Sequence, residues 1–148
     1  MTAQSSAGYA GDVSVAEAYS LLERDKNAVL VDVRTKAEWA YVGIPDLSNI
    51  GKETVLIEWQ EFPTMKVNAE FSARLDEILR EQGVEADAPL LFLCRSGARS
   101  RAAAIAMTRT GRQRCYNIES GFEGPLDDRR RRGALEGWKA HGLPWAQS

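Results

Sequence analysis

The chain has 148 residues, 44% hydrophobic and 27% charged, with a formal net charge of −2. This size and balance suit one globular domain with its own core. No apolar run approaches the roughly 20 residues that cross a bilayer, and Met1–Gly8 lacks the basic start and apolar centre of a secretory signal, so a cytoplasmic protein without membrane contacts is expected. Two cysteines, Cys94 and Cys115, and one histidine, His141, make neither a disulfide framework nor a metal-ligand cluster. No metal or cofactor is expected.

In chain order, residues 1–10 read as a loose tail and residues 11–148 as one domain. Ser14-Val15-Ala16-Glu17 is a capping box, with Val15, Ala18, Tyr19 and Leu22 on one face of the helix that follows. Ala28–Val33 is a continuous apolar run, the pattern of a strand buried on both faces of a parallel sheet. Thr35-Lys36-Ala37-Glu38 is a second capping box, and Gly43-Ile44-Pro45 ends its short helix; Arg34 and Glu38 have the spacing of a helical ion pair. Thr54–Trp59 reads as a strand. Asn68 is placed to cap a helix with Phe71, Leu75, Ile78 and Leu79 inside, stopped by Gly83. Leu90–Leu93 is the next strand, Ala102–Met107 belongs to the next helix, and Arg114–Ile118 is the last strand. Alternating strands and helices give an α/β class with a mainly parallel sheet.

The informative stretch is Leu90-Leu91-Phe92-Leu93-Cys94-Arg95-Ser96-Gly97-Ala98-Arg99-Ser100. A buried strand runs into a tight loop and a helix start, with a thiol at the loop's mouth. Converging backbone N–H groups, the helix end and two guanidinium groups all favour an anion there, so the sulfur is expected to be largely thiolate. Ligands of parallel sheets sit beyond the C-terminal strand ends, which makes Asp32 and Trp59 candidate pocket residues beside Cys94. Charge is unevenly spread: residues 1–90 carry a net −8 and residues 91–132 a net +6. That excess of arginine around the loop would draw in a small anion. Arg129–Arg132 is a cationic run beside Asp127 and Asp128, read as a solvated loop with docking of an acidic partner as the alternative; one short run does not indicate nucleic acid. Cys115 reads as a core residue.

Val31-Asp32-Val33-Arg34 with Glu38-Trp39 and Gly43-Ile44-Pro45, then Cys94–Ser100, then Tyr116-Asn117-Ile118 with Gly121-Phe122 and Gly137-Trp138, together resemble the signatures of single-domain rhodaneses. The resemblance spans about residues 12 to 145. It implies a rhodanese-like five-stranded, mainly parallel sheet with helices on both faces. It implies a sulfurtransferase that moves a sulfane sulfur from a donor such as thiosulfate to cyanide or a thiol by ping-pong through a Cys94 persulfide. Residues Arg95, Ser96, Gly97, Ala98, Arg99 and Ser100 would bind the persulfide and the anionic donor. The chain departs from the family pattern at Asp46, where a glycine is usual, at Ser120, and in having no histidine before Ile44. Phosphatases of related fold need Cys-x5-Arg, whereas here Cys94 and Arg99 are spaced Cys-x4-Arg and Ser100 holds the phosphatase position. Phosphatase or arsenate reductase activity is thus a lesser alternative, and a non-enzymatic sulfur-relay or protein-interaction module is the main one.

Overall fold

The computed structural model describes residues 8–147. In chain order its elements are β1 (Gly11–Val13), α1 (Val15–Arg24), β2 (Val29–Asp32), α2 (Lys36–Val42), β3 (Ile44–Pro45), β4 (Val55–Leu56), β5 (Gln60–Glu61), β6 (Lys66–Val67), α3 (Phe71–Glu81), β7 (Leu90–Leu93), α4 (Ala98–Thr108), β8 (Cys115–Ile118) and β9 (Trp145–Ala146). The central sheet has the order β1-β8-β7-β2-β4, and every pairing in it is parallel. Two short antiparallel pairs, β3 with β9 and β5 with β6, lie outside it.

The period-two rule for strands divides the core into two layers. Leu90 and Phe92 of β7 face Phe71, Leu75 and Leu79 of α3 and Ala103, Ala104 and Met107 of α4. Leu91 and Leu93 face the other way, onto Val15, Ala18 and Leu22 of α1 and onto Phe122 and Trp138. The small residues of α4 let it lie close against β7 and β8. With helices on both faces the sheet presents its C-terminal strand ends as the open edge, and Cys94 follows directly on β7 there.

Both capping boxes form: Ser14 Oγ accepts from the Glu17 N–H, and Thr35 Oγ1 from the Glu38 N–H. Several expectations are corrected. The expected tail reaches too far: Tyr9 and Ala10 are buried, and the Ala10 N–H donates to the Cys115 carbonyl at 2.9 Å; residues 1–7 of that tail lie outside the described residues. The packed chain therefore begins before residue 11. The Thr54–Trp59 strand shrinks to Val55–Leu56, because beyond it the backbone N–H groups of Ile57 and Trp59 bond to Asp32 and Val33 in an irregular edge. Asn68 does not cap α3. Glu70 holds the cap position without a side-chain bond, and Asn68 instead accepts from the Glu70 N–H at 3.0 Å in the turn before the helix. No helix among the described residues is long and apolar enough to cross a membrane.

Candidate functional site

Cys94 sits where β7 ends, and only 1% of it is exposed. Its sulfur accepts from the Gly97 N–H at 3.1 Å and lies 3.2 Å from Ser100 Oγ. Gly97 caps α4 with φ of 111° and offers no side-chain cap, so the first N–H groups of α4 have no intrahelical acceptor and face the thiol's end of the helix as orphan donors. A side chain at Gly97 would also collide with the Glu119 carbonyl oxygen.

The loop is held from behind by the segment after β8. The Phe122 N–H donates to the Cys94 carbonyl at 2.8 Å, and the Glu123 and Gly124 N–H groups donate to the Arg95 carbonyl at 3.1 Å. Gly121 permits this closeness: with φ of 72°, a Cβ there would lie 2.6 Å from the Cys94 carbonyl oxygen and closer still to that of Arg95. Binding the Cys94 and Arg95 carbonyls on the loop's outer side leaves the Gly97 N–H to serve the sulfur.

A pocket of about 320 Å³ opens over the thiol, lined by Glu38, Gln60, Met65, Cys94, Arg95, Ser96, Ala98 and Arg99. That volume is at the small end for ligand sites. Arg99 is not a free cation. It makes a two-pronged ion pair with Glu38, Nη1 to Oε1 at 2.7 Å and Nη2 to Oε2 at 3.0 Å. Arg95 is exposed and makes no ion pair among the described residues, which leaves it as the uncommitted charge at the rim. The expected Arg34–Glu38 pair is absent, a correction with a simple cause: each partner finds a better one. Arg34 is buried against Asp32 at 2.7 Å, while Glu38, on the first turn of α2, looks across the pocket to Arg99.

Burial pushes the Glu38 carboxyl up, but the Arg99 hydrogen bonds and charge, helped by Thr35, outweigh it and hold the group below the ordinary glutamate range. A carboxyl depressed on folding adds stability above its unfolded pKa and forfeits it as pH falls through the folded one. The acid limb of the stability curve is therefore expected to flatten in Glu38→Gln, compared by urea melts between about pH 3 and pH 6; identical acid limbs would mean that the pair is screened by solvent.

Among the sequence candidates, the structure brings Arg95, Ser96, Ala98 and Arg99 to the pocket and Gly97 and Ser100 to the sulfur. It does not bring Asp32 or Trp59. Asp32 is fully buried in its pair with Arg34, and Trp59 packs edge-on against Phe71, ring centroids 5.0 Å apart. Gln60, next in sequence to Trp59, and Met65 across the β5–β6 turn supply the wall. Arg129, Arg130 and Arg131 are exposed, with Asp127 Oδ1 accepting from the Arg129 and Arg131 N–H groups. Sequence reasoning missed Asn117, a fully buried amide whose Oδ1 lies 2.5 Å from Ser100 Oγ. A polar residue inside the apolar run Cys115–Ile118 was the available signal.

The STR4 middle domain family matches residues 10–148. The chain belongs to the STR4 middle domain family. It is 45% identical to the chain in the crystal structure of Rv0390 from M. tuberculosis, with a TM-score of 0.84 over 95% of this chain and 99% of that one. It is 41% identical to the uncharacterized protein RC0915 of Rickettsia conorii, over 87% of this chain and 91% of the relative. More distant relatives are the rhodanese-like domain-containing protein 4 of Arabidopsis thaliana, 26% identical over 93% of this chain and 26% of the relative, and a sulfurtransferase of Allochromatium vinosum, 28% identical over 80% and 78%. Its distant relatives thus include a rhodanese-like domain-containing protein and a sulfurtransferase.

Proposed function

We propose that the chain is a sulfurtransferase in which Cys94 carries sulfur as a persulfide. The observation that carries this reading is the Cys94 sulfur lining a small pocket, with the Gly97 N–H at 3.1 Å and the N-terminus of α4 starting one residue on. With thiosulfate as donor, the Cys94 thiolate attacks the outer sulfur. An S–S bond forms to Cys94 as the bond to the sulfonate breaks, and sulfite leaves with the bonding pair. Three negative charges enter the step and three leave it, one on the persulfide and two on sulfite. The charge of the persulfide resides on its outer sulfur, where preorganised N–H donors stabilise it without reorganising. Cyanide or a thiolate then attacks that sulfur and restores the Cys94 thiolate, a double displacement. No general base is required once the thiolate exists. Arg95 is the group available to meet the donor's anionic end, since Arg99 is engaged by Glu38.

The acceptor defines a second reading. Met65 walls the pocket, and Phe62 and Val67 of the same β5–β6 hairpin are exposed beside it. An apolar lip of this kind favours a protein thiol as acceptor over cyanide, and in that case the chain is a relay. A phosphatase is disfavoured by the hydroxyl of Ser100 lying 3.2 Å from the sulfur where a phosphate-binding arginine would be needed.

The test is intact mass under non-reducing conditions. Incubation with thiosulfate should add one sulfur atom per chain, and cyanide should remove it. Loading with slow turnover on cyanide would point to the relay. No mass gain from thiosulfate or from a small-molecule persulfide would overturn the reading.

A further inference from the structure

Behind the thiol runs a line of polar groups with no part in the displacement just described. Ser100, on the first turn of α4, is fully buried, and its Oγ lies 3.2 Å from Cys94 Sγ and 2.5 Å from Asn117 Oδ1. Asn117, fully buried on β8, donates from Nδ2 to Asp12 Oδ1 at 3.0 Å, and the Tyr9 hydroxyl donates to the same oxygen at 2.8 Å. A carboxylate only accepts, so Asp12 fixes the orientation of the amide: Nδ2 must face Asp12 and Oδ1 must face Ser100. Burial, its hydrogen bond to Asp12 and the Asp12 charge all push the Tyr9 hydroxyl up, so it remains a donor.

Ser100 has one hydroxyl proton and two buried acceptors, Asn117 Oδ1 and Cys94 Sγ. In the thiol, S–H donates to Ser100 Oγ, Ser100 donates to Asn117, and every group is satisfied. In the bare thiolate both neighbours draw on the same proton: the sulfur keeps the Gly97 N–H, but it gains the hydroxyl only by leaving Asn117 Oδ1 without its donor, which is costly for a buried acceptor. In the persulfide Sγ is bonded to two atoms and uncharged, the charge lies one sulfur further out, and Ser100 again serves Asn117.

We propose that Asn117 is a positioning residue that competes with Cys94 for the single hydroxyl proton of Ser100, disfavouring the bare thiolate relative to both the thiol and the sulfur-loaded cysteine. The site so arranged resists standing empty and ionised and is relieved by taking up sulfur. The idea rests on reading Cys94 as the reactive sulfur, but its test needs no sulfur donor, so a chain that failed to load sulfur could still confirm or refute it.

The test is the pH profile of iodoacetamide alkylation at Cys94 in the full chain, for wild type, Ser100→Ala, Asn117→Leu and the double variant. Leucine keeps the branched shape of asparagine and removes the competing oxygen. In Asn117→Leu the freed hydroxyl turns to the sulfur. Alkylation near neutral pH should rise about three- to tenfold, less than a full charged hydrogen bond would give because a better-stabilised thiolate is intrinsically less nucleophilic. For that same reason the variant should become slower than wild type at alkaline pH, where both are ionised. Adding Ser100→Ala should erase the neutral-pH gain. The charged and titratable groups around this line are Arg95 in the loop, Arg99 and Arg101 on α4, Glu38 on α2, Asp32 and Arg34 at and after the end of β2, Asp12 on β1 and Tyr9 before it; all are common to the four chains. A gain that persists without Ser100, or holds at every pH, would mean that the loop has merely loosened and would overturn the proposal. So would no gain at all. Should Asn117→Leu fail to fold, Asp12→Ala at an exposed strand position unlocks the amide, lets Nδ2 turn to Ser100, and must raise the neutral-pH rate in the same Ser100-dependent way.

Discussion

Cys94→Ser is expected to gain no sulfur from thiosulfate and to show only background thiocyanate formation with cyanide, whereas Cys115→Ala keeps both activities close to wild type. A serine hydroxyl does not ionise near neutral pH and cannot hold a sulfane sulfur as a persulfide does. The second cysteine cannot substitute. Cys115 opens β8, fully buried, and burial pushes its thiol up to about 11 against the smaller opposing effects of Thr108 and Arg112. At neutral pH only about one such thiol in 10⁴ is ionised. Its neighbours are those of a core residue, the Arg112 carbonyl oxygen at 3.6 Å and the packed faces of α4 and β7. The two cysteines thus differ in surroundings rather than in type: one follows the end of a strand and meets the Gly97 N–H beneath a pocket, the other opens a strand. Intact mass and a coupled assay on both variants check this directly. Loading retained in Cys94→Ser, or lost in Cys115→Ala, would reverse the assignment.

What the sequence made legible is what it encodes over a few residues. Each capping box is a contact between positions three apart, so Ser14–Glu17 and Thr35–Glu38 are readable without knowing the fold. The strand, loop and helix around Cys94 form another local pattern, and the parallel five-stranded sheet follows from the alternation of elements. The contacts that escaped are non-local. Glu38 was legible as a cap but not as the partner of Arg99, 61 positions away, and Asn117 reaches Asp12 across 105 positions. Strand β1 escaped because Gly11-Asp12-Val13 is too short to show a period and exists through its parallel register with Tyr116, Asn117 and Ile118. The Arg34–Glu38 expectation failed for the complementary reason: a local spacing rule worth a few tenths of a kcal/mol yields to two non-local arrangements with better geometry.

The same contrast fixes how the pocket is built. Glu38 closes Arg99 into a pair, Gly121 lets the chain after β8 bind the loop's carbonyls, and Asp12 orients the amide that faces Ser100. None of the three carries the chemistry, yet each sets a geometry that Cys94 needs. They come from α2, from the turn after β8 and from β1, so the loop signature alone does not specify the site; the whole sheet edge does.

Asp32→Ala is expected to cost about 3–5 kcal/mol of folding stability, the usual consequence of stripping one partner from a buried ion pair. That is a large part of the roughly 5–15 kcal/mol that holds a domain folded. The carboxylate is fully buried and receives the Arg34 guanidinium through Nε at 3.0 and 3.2 Å and Nη2 at 2.7 Å, besides the Arg34 backbone N–H at 3.1 Å. Arg34 has little else to turn to. Its Nη2 also donates to the Gly43 carbonyl, its Cζ stacks 4.2 Å from the centre of the Phe122 ring, and its Nη1 is buried with no hydrogen-bond partner among the described residues. Without Asp32 a full positive charge stays in the core. Urea denaturation should show a lower midpoint at an unchanged slope, since the surface exposed on unfolding is nearly the same. Removing both charges, as Asp32→Leu with Arg34→Met, should recover much of the loss, because an apolar replacement of a buried pair is often close to neutral. Measured on the folded fraction, sulfur loading in Asp32→Ala should remain near wild type, because Asp32 lines no part of the pocket over Cys94. A stable Asp32→Ala chain that fails to load sulfur would instead place this carboxylate in the chemistry, where its position at a strand end first suggested it.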